Sequence, residues 1–215
     1  MSSIINSSSS LDDVWYTHEE AITFYSKGMY EKAAEIFAKN FELIHTSIQN
    51  DTYSVGQKMN SNRPSASSTS PFYIQIERQD EHLVFHLPLH VCDICAAEQF
   101  AFTSMYNLAL SQHMAALTTT KSPHLINKAV MTWELVHSLQ WREELNLQPV
   151  HTLAILSNLG HAYLLAGMDE KGNHCYETIL GVLHIIRENK EKVDFSSFFI
   201  KTAQTALTPE AAAAA

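Results

Sequence analysis

Apolar residues recur at intervals of three and four through most of the chain, the spacing that places one apolar stripe along an α-helix. The first such stretch predicts a helix from Leu11 to Ser26. Gly28 follows it and predicts a turn, because glycine commonly ends a helix. The apolar positions of a second predicted helix, which ends at Ile48, are Tyr30, Ala33, Phe37, Phe41, Ile44 and Ile48. We therefore expect a helical hairpin over residues 11–48.

The pattern changes after this hairpin. Residues 49–71 are mostly Ser, Asn, Thr and other polar types, which predicts a flexible insertion because such a segment buries too little apolar surface to offset the entropy of ordering it. A short disordered tail is expected for residues 1–10. Residues 72–92 then alternate apolar and polar side chains, which predicts a β-hairpin that turns near Gln79 and Asp80. Its apolar positions are Phe72, Ile74, Ile76, Leu83, Phe85, Leu87, Leu89 and Val91.

Helical spacing returns in residues 93–188 and predicts two more hairpins. In the first of them, a helix from Asp93 to Leu117 precedes a second helix that ends near Gln140. Ser122 and Pro123 resemble an N-cap followed by proline in the first turn.

The third predicted hairpin begins after Pro149 with a strongly apolar helix that reaches Ala166. Gly167 supplies the turn, and Asp169 is the expected cap of a last long helix to Arg187.

The C-terminal segment, residues 189–215, is less clear. Its apolar residues Phe195, Phe198, Phe199 and Ile200 are compatible with a short helix or with a strand added to the β-hairpin, and its alanine-rich end is expected to fray.

Two of the predicted hairpins share a pattern of small and aromatic residues. The third carries it at Leu159, Gly160, Tyr163, Gly167, Gly172, Tyr176 and Ile179, and the first at Ala21, Phe24, Gly28, Tyr30, Ala33 and Phe37. The middle hairpin begins the pattern at Asn107, Leu108 and Ala109 and completes it at Ala129, Trp133 and Val136, with a longer loop expected around Thr118 to His124. Small residues let paired helices approach, and large ones fill the space between neighbouring pairs.

This pattern resembles the tetratricopeptide repeat. The resemblance implies a mainly α fold in which three antiparallel helical hairpins form a right-handed superhelix, with the β-hairpin inserted between the first and second. The long insertion and the missing proline after each second helix depart from the family and indicate a divergent relative. An ordinary helical bundle whose residues match the pattern by chance is the alternative.

The resemblance also implies a function. Such arrays bind peptides or partner proteins in a concave groove lined by the first helix of each hairpin, without catalysis or a cofactor. The residues expected there are His18, Ile22, Tyr25, Tyr106, Asn107, Leu110, His113, Ser157, Asn158, His161 and Leu164. Because this set contains no Lys or Arg, we expect it to bind an apolar segment rather than an acidic C-terminal tail. The inserted β-hairpin could itself cover the groove, and that alternative stays open.

Composition limits the other possibilities. The chain has 215 residues, 46% of them hydrophobic, which is enough for a folded core. With 14 Lys and Arg against 23 Asp and Glu, the net charge of −9 disfavours nucleic acid and anionic membranes as partners.

The first ten residues lack the features of a signal peptide, so we expect an intracellular protein, in the cytoplasm or the nucleus, that can form homo-oligomers. The 3 cysteines are expected to stay reduced.

Two metal sites are alternative interpretations. Glu42 with His45 and Glu134 with His137 are Glu-x-x-His pairs, and Glu19 or Glu20 together with Glu98 would complete a di-iron carboxylate bundle. The second candidate is a zinc site formed by His86, His90, Cys92 and Cys95, which needs a sharp bend at Pro88. No catalytic motif is present, so we expect no enzymatic activity.

Overall fold

The computed structural model describes residues 11–49, 72–74, 84–91, 97–119, 122–142, 145, 147–189 and 196–208. Within these ranges the chain is mainly helical, as predicted. The helices are α1 (Leu11–Ser26), α2 (Tyr30–Gln49), α3 (Ala97–Thr118), α4 (Pro123–Leu139), α5 (Pro149–Leu165), α6 (Asp169–Glu188) and α7 (Ser196–Ala206), and the strands are β1 (Phe72–Ile74) and β2 (Leu89–Val91). None of these helices combines the length and the apolar character needed to cross a membrane.

Each helix packs against the next one along the chain, so α1 pairs with α2, α3 with α4 and α5 with α6. The C-terminal segment forms helix α7, which packs on α6 and α5. Of the two alternatives for this segment, the strand is therefore wrong.

The turns after α1 and α5 are built in the same way. Gly28 and Gly167 both have a positive φ, 74° and 71°, which is the left-handed conformation that glycine adopts without strain. In each turn the following methionine donates its amide to a carbonyl five residues earlier, from Met29 to Phe24 at 2.9 Å and from Met168 to Tyr163 at 2.8 Å. This is the Schellman arrangement, which satisfies carbonyls that the end of a helix leaves without partners.

Two glycines set the distance between α5 and α6. A Cβ atom on Gly172 would lie 2.7 Å from Leu164 Cδ2 and 3.1 Å from the carbonyl oxygen of Gly160. A Cβ atom on Gly160 would lie 3.1 Å from both the Cβ of Cys175 and the ring of Tyr176. A side chain at position 172 would therefore force Leu164 to move, and one at position 160 would make tight contacts with Cys175 and Tyr176.

The observed N-terminal caps of α4 and α6 differ in detail from the predicted ones. Ser122 stands at the N-cap of α4, but its side chain makes no capping hydrogen bond there. Proline at the next position removes an amide that would otherwise need a partner. Asp169 is the first residue of α6 rather than its cap, which is Met168. Its carboxylate still lies in the first turn, where the helix dipole favours negative charge.

The longer loop expected between Thr118 and His124 is also absent. Thr118 is the last residue of α3 and Pro123 the first of α4, so the connection is short. The middle hairpin has more residues between its pattern positions than the third hairpin has. Most of these extra residues belong to the end of α3 and the start of α4.

Strands β1 and β2 pair antiparallel, with Phe72 opposite Val91 and Ile74 opposite Leu89. The turn predicted near Gln79 and Asp80 lies outside the described residues. The apolar row before Leu89 was expected to be strand throughout, yet residues 84–88 are not paired in a sheet. Main-chain groups in this stretch bind helix side chains instead, as described below.

The buried apolar side chains form two large clusters. The first includes Phe37, Tyr106 and Trp133 and extends from α1 to α6. The second includes Tyr176 and Phe199 and lies among α5, α6 and α7. Residues 84–91 contribute to both, because Val84 and Leu89 belong to the first cluster and Phe85 and Leu87 to the second.

The contact between α5 and α6 gives a matched pair of substitutions. We expect Gly172→Ala to destabilise the protein by about 1–3 kcal/mol, the usual cost of an overpacked core. Gly181 lies on the same helix with no atom within 4 Å of a Cβ at its position, so Gly181→Ala should stabilise by roughly 0.5–1 kcal/mol through helix propensity. Chemical denaturation of both variants measures the difference. Equal effects would show that the close approach is not a constraint.

Candidate functional site

An extended segment, Val84–Val91, lies against α1, α3 and α5, and we refer to it as the internal strap. Each of the three helices gives it at least one polar contact: α1 through Tyr25 and Glu19, α3 through Asn107 and α5 through Asn158. Since α1, α3 and α5 are the first helices of their pairs, the strap crosses the surface on which the sequence predicts a binding groove.

Two asparagines hold the main chain of the strap. Leu89 donates its amide to Oδ1 of Asn107 at 2.8 Å, and Nδ2 of Asn107 donates to the carbonyl of Leu89 at 2.8 Å. Asn158 makes the same pair of bonds with Phe85, at 2.7 Å and 3.0 Å. At Phe85, which is not paired in a sheet, the side-chain amide takes the place of a neighbouring strand, and at Leu89 it adds to the pairing of β2 with β1.

The sequence around each asparagine explains its position. Asn107 and Asn158 each precede a leucine and a small residue, Leu108-Ala109 and Leu159-Gly160, so the two side chains occupy the same place on equivalent helices. Both asparagines are almost fully buried. A buried amide needs partners for its oxygen and its nitrogen, and the strap supplies both.

His18 supports Asn107 from α1. Its Nε2 lies 3.4 Å from Nδ2 of Asn107, and its ring meets Phe37 and Phe100 edge to face, each with centroids 5.2 Å apart. Because the amide nitrogen donates, this contact is compatible with a neutral ring that accepts at Nε2. Burial among these groups lowers the pKa of His18 to about 4.

Glu19, the next residue of α1, faces the end of the strap. Its Oε2 lies 3.8 Å from Nδ1 of His90. Burial raises the pKa of the Glu19 carboxyl, but the nearby His90 outweighs that effect and the pKa lies below its ordinary value. Farther along the same helix, the hydroxyl of Tyr25 donates to the carbonyl of His86 at 2.8 Å.

Four apolar side chains of the strap are buried, those of Val84, Phe85, Leu87 and Leu89. Phe85 and Leu89 are 0% exposed and Leu87 is 4% exposed. Phe85 stacks on Phe199 of α7, with centroids 5.3 Å apart and planes 25° apart, and meets Phe198 edge to face at 5.7 Å. Helix α7 therefore completes the pocket that holds Phe85.

Beyond the strap, α3 and α5 are also linked by two histidines. Nε2 of His113 lies 3.0 Å from Nδ1 of His161, and the rings stack with centroids 5.1 Å apart. His113 is buried, and burial together with the neighbouring His161 holds its pKa well below the ordinary value.

All eleven residues predicted to line the groove lie on α1, α3 or α5, but they do not form an open surface. His161 and Leu164 are partly exposed. The other predicted residues are buried, namely His18, Ile22, Tyr25, Tyr106, Asn107, Leu110, His113, Ser157 and Asn158. Of these residues, Tyr25, Asn107 and Asn158 bind the strap directly.

Sequence reasoning did not identify three of the contacts. The role of Glu19 was missed because it was considered only as a metal ligand, and the aromatic contact from α7 because the position of that segment was open. The main-chain bonds of the two asparagines had a usable signal, namely their shared position before Leu and a small residue.

The described part of the chain contains no cluster of possible metal ligands. No three His, Cys, Asp or Glu side chains among those residues come together as metal ligands would. Glu134 instead accepts hydrogen bonds from the Tyr163 hydroxyl at 2.7 Å and from Lys171 Nζ at 3.4 Å, and His45 stacks on Phe41. Cys92 and Cys95 of the zinc candidate lie outside the described residues.

Comparisons with protein-family models, with curated proteins and with solved structures find no match for this chain. The functional interpretation therefore rests on the geometry of the strap and of the residues around it.

The two asparagines can be tested directly. Asn158→Ala removes the two buried hydrogen bonds that this side chain makes with the amide and the carbonyl of Phe85, and we expect a loss of about 2–4 kcal/mol in stability. Asn127, exposed on α4, is the control, and its replacement by Ala should change stability by less than about 0.5 kcal/mol. Urea denaturation gives both values. A neutral Asn158→Ala would contradict the role assigned to this side chain.

The buried histidines predict a loss of stability in acid. Burial lowers the pKa of His18 and of His151 to about 4, below the ordinary 6.5, so the folded protein binds fewer protons than the unfolded chain. Stability should then fall as the pH drops from about 6.5 towards 4, by roughly 1–2 kcal/mol per histidine at about pH 5. Denaturation at several pH values measures this slope. His18→Gln should make it shallower, and an unchanged slope in that variant would contradict the assignment.

Proposed function

We propose that this chain is a non-catalytic protein-interaction module related to tetratricopeptide-repeat proteins. In this proposal the three helical pairs form a right-handed superhelix, and the first helices of the pairs bind an extended polypeptide. The internal strap occupies that binding surface in cis, as a built-in ligand that a partner displaces.

The observation that carries the proposal is the pair of asparagine contacts to the strap. The contacts of Asn107 and Asn158 with the strap are made to main-chain groups, the amide and the carbonyl of Leu89 and of Phe85. Those groups are present in every polypeptide. A surface that holds an extended main chain at two points four residues apart is equipped to hold an extended segment from another protein.

The repeated construction of the helical pairs supports the relationship to repeat proteins. The turns at Gly28 and Gly167 have the same hydrogen bonds, and Gly160 and Gly172 meet where the family pattern places small residues. Large buried residues, Phe37, Trp133 and Tyr176, stand at the corresponding positions of the three second helices.

Tethering explains how such a site is regulated. A covalently linked segment acts at an effective concentration on the order of millimolar. A free peptide with the same contacts competes poorly against it, so the intact chain is closed to weak ligands. A partner gains access by binding more tightly than the strap or by weakening its attachment.

A peptide added in trans tests the proposal. Phe85→Ala in the full chain removes the largest apolar anchor of the strap. A fluorescent peptide with the sequence of Val84–Val91 should then bind this variant at least ten times more tightly than the unaltered chain. Fluorescence anisotropy measures the affinity, and circular dichroism confirms that the variant keeps its helices.

The control combines Phe85→Ala with Asn158→Ala, which removes one of the two main-chain contacts and should abolish peptide binding. If the peptide does not bind to a folded Phe85→Ala chain, the strap is a permanent part of the core and the proposal is wrong. If Phe85→Ala does not fold, Leu87→Ala provides a second weakened strap for the same measurement.

A further inference from the structure

The contacts of the strap also define which partners the groove selects. Building on the proposed function, we infer that the groove binds extended segments with an aromatic residue at the first position, apolar residues at the third and fifth, and a basic residue at the sixth. Phe85, Leu87, Leu89 and His90 occupy these positions in cis.

The first position is selected by an aromatic pocket. Phe85 stacks on Phe199 and meets the edge of Phe198, and it is 0% exposed. Stacked and edge-to-face rings attract one another beyond the effect of burial alone, so the pocket favours an aromatic side chain over an aliphatic one of similar size. Phe198 and Phe199 both belong to α7, and we assign the selection of the first position to this helix.

The third and fifth positions are selected by burial. Leu87 enters the same apolar cluster as Phe85, whereas Leu89 enters the cluster around Tyr106. Alternate residues of an extended chain point to one side, so a segment held at Asn158 and Asn107 presents its first, third and fifth side chains to these two clusters. A polar residue at either place would be buried without a partner.

The sixth position is selected by charge. Oε2 of Glu19 lies 3.8 Å from Nδ1 of His90, and this contact lowers the pKa of the Glu19 carboxyl. Lys or Arg at the sixth position would meet this carboxylate, whereas Glu or Asp would be repelled. The net charge of the chain, −9, favours basic partners in the same direction.

The first experiment measures selectivity in trans. Peptides derived from Val84–Val91 are titrated into the full chain carrying Phe85→Ala. We expect replacement of the first-position Phe by Leu to weaken binding several-fold and by Ala at least tenfold. Replacement of the sixth-position His by Lys should preserve or strengthen binding, and by Glu should weaken it several-fold, with a smaller difference at high salt.

The second experiment measures the same selectivity in cis, in chains that keep their strap. Hydrogen exchange of the amides of Phe85 and Leu89, both bound by asparagines, reports on strap opening. His90→Lys should leave their protection unchanged or higher, and His90→Glu should lower it several-fold. Phe85→Leu should lower it, with Phe198→Leu in α7 giving a change in the same direction.

The outcomes separate this inference from the proposed function. If no peptide binds in trans, the groove takes no external partner, and the proposed function fails together with the inference. If the parent peptide binds but its first- and sixth-position variants bind equally well, the groove recognises only the main chain of its ligand. In that case the inference fails and the proposed function stands.

Discussion

The structure depends on how the main chain of the internal strap is buried against helices. Amides and carbonyls of the internal strap would each cost about 1–3 kcal/mol if they were enclosed without partners. Asn107 and Asn158 remove this cost at Leu89 and Phe85, and Tyr25 does so at the carbonyl of His86. Three helix side chains thus allow an extended segment to lie inside a helical protein.

With its main-chain groups hydrogen-bonded, the strap can contribute side chains to both large apolar clusters. Val84 and Leu89 belong to the cluster around Trp133, and Phe85 and Leu87 belong to the cluster around Tyr176. Packing and hydrogen bonding are therefore coupled, because loss of an asparagine contact also loosens the apolar side chain beside it. In the function proposed above, this coupling makes the strap bind or leave the groove as a single unit.

The sequence predicts the helices well because their signals are local. The apolar spacing, Gly28 and Gly167 specify α1, α2, α5 and α6 within a residue or two of their observed ends. The contacts of the strap were harder to predict. Apolar side chains alternate in the same way whether the main chain pairs with a strand or binds asparagine side chains. Phe199 illustrates the limit, because nothing in the sequence near it indicates that it contacts a residue as distant as Phe85.

That long-range contact bears on how the protein is made. Helix α7 leaves the ribosome after every other described helix, and domains begin to fold while synthesis continues. Until α7 has emerged, the ring of Phe85 lacks the two aromatic side chains that enclose it. In the nascent chain, the side of Phe85 that packs on α7 is therefore uncovered until this helix has been made, and this is the stage at which a chaperone would be of most use.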